Sequence, residues 1–229
     1  YDLALVNHQS CLMYVKQNVT VKYIKFISHG TIPILEQPII GANEYISIST
    51  EVQTHLKKKG FKSKVIHNPI DLDVYKPEKP LKRSPRSLFV LCQNNTAQMN
   101  VDYLGYITKK TPSSRSLRIS LAGDGYNNSD GVVGLGRSAM EGLACGRPVI
   151  VYDNRHYNYK GSYDGIVTKN NIEVLLTKNF SGRVFNRVFE PVLVKEEFEK
   201  LYVNNTEYYR ALAEEYFDAS KIVVKLIEH

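Results

Sequence analysis

Apolar residues along this chain come in short runs that take turns with stretches of helical spacing. "DLALVN", "VKYIKFIS", "EYISIS" and "SKVIHN" read as β-strands. Between the last two, "TEVQTHLKKKGF" reads as a helix with a Thr50 cap and a terminal Gly60. Pro69, Pro77, Pro80 and Pro85 then punctuate a polar, basic stretch with the composition of a boundary. A second series follows: "SLFVLC" as strand, residues 99–110 as helix, "LRISLAG" and "DGVVG" as strands, residues 137–145 as helix and "PVIVYD" as strand. Helical patterns over 194–201 and 205–227 close the chain, and "YDNRHYNYKGSYDG" reads as a tyrosine-rich surface loop.

Strands that alternate with helices imply parallel sheets covered on both faces, so the pattern predicts an α/β protein of two Rossmann-like domains facing a cleft. The expected divisions are an N-terminal domain over 1–75, a linker over 76–86, a second domain over 87–204 and a C-terminal helix over 205–229 that packs back on the first domain. One join breaks the pattern. Parallel strands ending near Ala122 and beginning near Gly131 are closer in sequence than a crossover of about a dozen residues allows. The spacing therefore predicts either a hairpin or an interruption between Gly125 and Asp130, and a first domain that is incomplete in this chain.

Composition adds little to the fold and more to the partners. With 43 % apolar residues the chain can bury a core, and no apolar run reaches the roughly 20 residues of a membrane span. No basic-then-apolar leader stands at Tyr1. Three scattered cysteines point to a reducing, cytoplasmic setting. The net charge of +7 favours anionic partners: a phosphorylated ligand, an anionic membrane surface or nucleic acid. Nucleic acid is the weakest of these, because no recognition motif accompanies the charge.

The chemistry concentrates in "GLGRSAMEGLACGRPVIV", residues 134–151. A strand delivers the chain to a Gly134–Leu135–Gly136 loop at its carboxyl end, where ligands bind in doubly wound sheets. The glycines let a phosphate approach the backbone, and the N–H groups of Arg137, Ser138 and Ala139 are expected to face it with the helix dipole behind them. Glu141, one turn further, is placed to accept hydrogen bonds from a ribose diol.

Residues 131–151 resemble the donor-site motif of family-4 retaining glycosyltransferases, enzymes of two Rossmann-like domains. Their sequence there reads Glu-Gly-Phe-Gly and, after a short spacer, Glu-Ala-Met-Ala-Cys-Gly-x-Pro-Val; "GLG" and "EGLACGRPVIV" are its counterparts. "VIHNPIDLDVYKP" is similar to the family's interdomain segment, with Pro69 in place of a glycine, and "ISISTEVQTHLKKKGF" and "SLAGDG" resemble the segments on either side. The four motifs occur in the family's order through residues 21–153. The resemblance also implies a longer chain ahead of Tyr1 and a longer insertion after the Gly-Asp-Gly.

The resemblance implies transfer of a sugar from a nucleotide-diphosphate donor to an acceptor, a glycan or a lipid-linked molecule, with retention at the anomeric carbon. No cofactor or metal is expected. Glu141 would hold the ribose, and His29, at the end of a first-domain strand, would contact the donor sugar. The family's first Glu falls on Val133, and its donor-phosphate Arg and Lys fall on the neutral Gln93 and Gln98. Arg137, on the donor loop, is the candidate replacement cation. The lost groups open a second reading, a degenerate member that binds a nucleotide sugar or glycan without turnover. A lipid-linked acceptor would bring the protein to the inner face of a membrane as a peripheral visitor.

Overall fold

The computed structural model describes residues 1–91, 95–110, 124–154 and 162–228. It is an α/β structure with one parallel and one mixed sheet, and it divides into two compact units. Unit 1 comprises Tyr1–Asn68, Leu176–Asn179 and Lys221–His229; unit 2 comprises Pro69–Leu175 and Phe180–Ser220.

In unit 1 the strands β1 (Leu3–Val6), β2 (Tyr23–Ser28), β3 (Glu44–Ser47) and β4 (Lys64–Val65) form a parallel sheet in sequence order. Phe26, fully buried, stands opposite Val6 on one side and Tyr45 on the other. The crossovers are α1 (Gln9–Asn18), a segment with a short 3-10 turn at Ile34–Glu36, and α2 (Thr50–Lys58). The cap of α2 is Ser49 rather than the expected Thr50: its hydroxyl accepts from Val52 N–H at 3.3 Å, and Thr50 is already helical. Helix α1 has no counterpart in the strand-and-helix pattern expected from sequence, because it buries Leu12 alone.

Unit 2 is built on six strands in the order β10–β9–β8–β7–β5–β6. These are β5 (Ser87–Val90), β6 (Ile107–Lys110), β7 (Gly131–Gly134), β8 (Val149–Asp153), β9 (Ser162–Ile166) and β10 (Arg187–Val188). The four from β6 to β8 are parallel, and β9 and β10 are added antiparallel. Residues 76–86 belong to this unit. The helix expected over 99–110 is instead α3 (Asn95–Asp102) followed by β6. Gly105, at φ +78°, turns the chain between them, and Asp102 accepts from both Gln98 and Thr108 at 2.6 Å.

The "LRISLAG" strand lies outside the described residues. From Asp124 the chain runs on unbroken: one helical turn, α4, over 124–127 closes with Asn128 N–H on the Asp124 carbonyl, and Asp130 N–H bonds Ser87 at the start of β5. No interruption is present between Gly125 and Asp130, and both flanks of β7 are taken by the parallel strands β5 and β8; the first strand of the expected hairpin lies outside the described residues. The end of the expected tyrosine loop is β9, whose Tyr163 is buried in the core.

Helix α5 (Arg137–Ala144) joins β7 to β8, and α6 (Ile172–Leu176), α7 (Pro191–Leu201) and α8 (Thr206–Tyr216) follow. The single helix expected over 205–227 is two, because the chain between α8 and α9 (Ala219–Ile227) pairs with Ile70: Ile70 N–H donates to the Phe217 carbonyl at 2.8 Å, and the Ile70 carbonyl accepts from Ala219 N–H at 3.1 Å. Residues 221–229 return to unit 1, where Ile222 and Leu226 of α9 pack with Ile46. No helix among the described residues is long and apolar enough to cross a membrane.

Candidate functional site

β7 sits between β5 and β8, so the loop that follows it opens at the carboxyl edge of the parallel part of the sheet. Helix α5 can lie close on that sheet because Gly142 has no side chain; a Cβ there would stand 3.1 Å from methyls of Val132 and Val149. The other glycines shape the loop itself. Gly136 has φ +50° and ψ −123°, a conformation that costs any other residue strain. At Gly134 a Cβ would stand 2.7 Å from the Ser138 hydroxyl, which accepts from Leu135 N–H at 3.0 Å and donates to the Leu135 carbonyl at 2.8 Å.

That turn changes the expected anion cradle. Ser138 N–H donates to the Leu135 carbonyl at 3.1 Å and Ala139 N–H to the Gly136 carbonyl at 3.2 Å, so both are committed within the loop. The three open donors expected at Arg137, Ser138 and Ala139 are therefore not presented as a set. The tight first turn that the glycines permit draws two of them back onto the chain. Ala139 is also fully buried beneath the loop.

Glu141 lies at the centre of a cage. Its side chain is 11 % exposed; one oxygen accepts from Arg137 Nε at 2.8 Å and the other from the Tyr126 hydroxyl at 2.9 Å. Tyr75 also turns its hydroxyl to this carboxylate and meets the Tyr126 ring edge-on at 6.1 Å. Burial first, and then the negative charge of Glu141, push the Tyr75 hydroxyl up to about 12 and the Tyr126 hydroxyl well above its ordinary value. Both remain neutral donors to the carboxylate at any physiological pH. Burial likewise raises the Cys145 thiol to about 12, so it is an inert wall of the cage rather than a nucleophile.

The arginine that precedes the acid is paired with it. Arg137 and Glu141 are one helical turn apart, and Arg137 Nη1 also donates to the Pro69 carbonyl at 3.3 Å. The side chain of Arg137 is still 55 % exposed. Val133, where the resemblance would put an acid, is fully buried in β7 and offers no polar group. Gln98 is buried and donates to Asp102, away from the loop's own hydrogen bonds, and Gln93 lies outside the described residues. His29 follows β2 in unit 1, partly buried at the carboxyl end of that sheet.

Two arginines that the motif reading left without a role hold this site from behind. Arg147 is 1 % exposed, and its Nη2 donates to the carbonyls of Lys79 and Asn127. Arg210 of α8 donates to the carbonyls of Leu72, Tyr75 and Ala144, tying the end of α5 to the segment that carries Tyr75. Arg210 also pairs with Glu214 one turn on, but the main-chain carbonyls that both arginines hold are remote in sequence, and no spacing reveals them. No protein-family model matches the chain, and no curated protein shows significant similarity to it.

Proposed function

We propose that the protein is a glycosyltransferase that takes a nucleotide-diphosphate sugar as donor and transfers the sugar with retention, unit 2 being the donor-binding domain and unit 1 the acceptor-side domain of a two-Rossmann arrangement. The observation that carries the reading is the caged Glu141 carboxylate beneath a Gly-x-Gly loop at the carboxyl edge of parallel strands. A carboxylate has about four lone-pair sites. Tyr126, Tyr75 and Arg137 fill three of them, and the fourth, with the one Arg137 would vacate on turning to a phosphate, can accept the two hydroxyls of a ribose. Arg137, exposed at the loop, would meet the diphosphate, whose charge grows as the sugar leaves. His29 would contact the sugar from unit 1. The acceptor is a glycan or a lipid-linked molecule, and no metal takes part.

A second reading is favoured by the commitments within the loop. With Ser138 and Ala139 N–H turned inward and Arg137 bound to Glu141, the donor phosphate has fewer ready partners, as in a protein that holds a nucleotide sugar without turning it over. One experiment separates the two. Transfer and hydrolysis are followed with a panel of nucleotide sugars while binding is measured in parallel by calorimetry. In the enzyme reading, Arg137→Gln lowers kcat more than it weakens donor binding, the signature of a contact strongest in the transition state. Binding without turnover of any donor selects the second reading, and the absence of both overturns the two together.

A further inference from the structure

The segment after β2 turns polar groups inward and several of its apolar ones outward, while Pro38 is buried and Ile39 packs on the core. Gln37, 6 % exposed, donates to the carbonyls of Gly30 and Pro33 at 3.2 Å, and its oxygen bonds His55 Nε2 at 2.6 Å and Lys59 at 2.9 Å. Ser28 donates to the Glu36 carbonyl and Tyr45 to the Ile39 carbonyl, each at 2.8 Å. So anchored, the segment shows Ile32, Ile34, Leu35 and Ile40 to solvent, 51 %, 78 %, 53 % and 88 % exposed. These residues are held out by a hydrogen-bonded frame, where an ordinary soluble loop would place polar side chains.

The patch continues onto α1 and is edged with cations. The segment packs along α1 from His8, beside Glu36, to Lys16, which lies so close over Gly41 that a Cβ there would be 2.6 Å from its ammonium. Met13 and Tyr14 on α1 are 49 % and 63 % exposed. On the other flank, the contacts of Gln37 with His55 and Lys59 bring the exposed basic end of α2, with Lys57 and Lys58, alongside. Glu36, partly buried, turns its carboxylate toward Gly30. The charge asymmetry is large: unit 1 holds eleven lysines and no arginine against five acids, whereas unit 2 holds nineteen basic residues against eighteen acidic ones.

We infer that the Ile32–Ile40 segment and the adjoining face of α1 form a membrane-docking surface, with the isoleucines and leucine inserting at the acyl boundary of an anionic leaflet and Lys16 and Lys58 resting among its headgroups. Apolar insertion and cationic attraction are each marginal alone, and together they give reversible attachment without a spanning helix. The charge argues for an anionic bilayer over another protein, since almost the whole net charge of the chain lies in the unit that carries the patch. The inference does not rest on the glycosyl-transfer reading.

The test is co-sedimentation of the whole chain with vesicles of phosphatidylcholine alone or mixed with phosphatidylglycerol. The wild type is expected to sediment with the mixed vesicles at low salt, less at high salt and little with phosphatidylcholine. Lys16→Gln with Lys58→Gln should lower partitioning roughly 30-fold, about fivefold for each lysine. Ile34→Ser, Leu35→Ser and Ile40→Ser together should lower it at least about tenfold. If that triple variant loses its circular-dichroism spectrum, Ile34→Ser alone is read instead, with a loss of at least about threefold expected. A wild type that stays in the supernatant with the mixed vesicles overturns the proposal, as does serine substitution without effect. A dimer in light scattering that the same serines dissociate makes the patch a self-association face and also overturns it.

Discussion

Removing the Glu141 side chain should unfold unit 2 more easily even before any ligand is considered. Glu141→Ala strips the acceptor from the Tyr126 hydroxyl, whose residue is fully buried, and a buried hydroxyl without a partner costs about 1–3 kcal/mol. The Arg137 pair adds little, roughly 0.3–0.5 kcal/mol, because the guanidinium is half in water and the charges are screened. Alanine's better helix propensity returns a few tenths of a kcal/mol, ~0.4 at most. The expected loss is about 1–3 kcal/mol. Glu141→Gln, which keeps an acceptor for Tyr126, should lose about 1 kcal/mol. Urea unfolding followed by far-UV circular dichroism reads the change, as the chain has no tryptophan to report fluorescence. Tyr126→Phe removes the other partner, so the Tyr126→Phe and Glu141→Ala losses should be non-additive by about 1 kcal/mol. A Glu141→Ala protein within about 0.5 kcal/mol of wild type, or fully additive losses, would refute the cage.

Three further outcomes follow from other parts of unit 2. Asp130 is buried at the start of β7; burial pushes its carboxyl up, but hydrogen bonds from Arg86 N–H, Lys82 and Ser87 outweigh this and hold it below the ordinary aspartate value. Its stabilisation is therefore present above the ordinary aspartate range and lost as pH falls through the lowered value, so Asp130→Asn should cost about 1.5–3 kcal/mol at neutral pH and progressively less in acid, read by urea midpoints across pH. Gly136→Ala forces φ +50° on a residue with a Cβ and should cost about 1–3 kcal/mol, seen as a lower thermal midpoint. Arg210→Met leaves the Leu72, Tyr75 and Ala144 carbonyls without their donor and should cost about 2–3 kcal/mol, with faster amide exchange through residues 72–75 if the clamp is what orders them.

Strands of both units were legible because parallel, covered strands are continuous apolar runs: "VVG" and "VIVYD" lie fully buried where expected. Helices were less so. Helix α1 buries only Leu12 and exposes Met13 and Tyr14, so its period is faint, and the break between α8 and α9 is set by pairing with Ile70, remote in sequence. The turn at Gly105 was readable as a helix stop, but "ITKK" has no apolar alternation to mark the edge strand β6 behind it. In the site, the loop, Arg137 and Glu141 are local and could be read together. Tyr75 and Tyr126, which give the carboxylate its setting, arrive from separate elements, and their aim is a property of packing alone.

The same packing puts two demands on Arg137. A cation in the first turn of α5 opposes the helix dipole, and an arginine ahead of its glutamate is the less favourable order for a pair one turn apart. The pair is therefore a weak reason for an arginine at this position, and the guanidinium can leave Glu141 at a cost near that of an exposed ion pair, about 0.5 kcal/mol. Glu141 would keep Tyr126, and Tyr75 beside it, when Arg137 swung outward, so the carboxylate would stay hydrogen-bonded and held in place. A phosphate over the Gly134–Gly136 loop could thus recruit Arg137 by a charge-assisted contact several times stronger than the one it gives up, of about 1.5–3 kcal/mol. On the proposed donor-binding reading, the ligand would lengthen the Arg137–Glu141 contact and free a carboxylate oxygen for the ribose, which would couple the phosphate and ribose ends of one ligand through a single side chain.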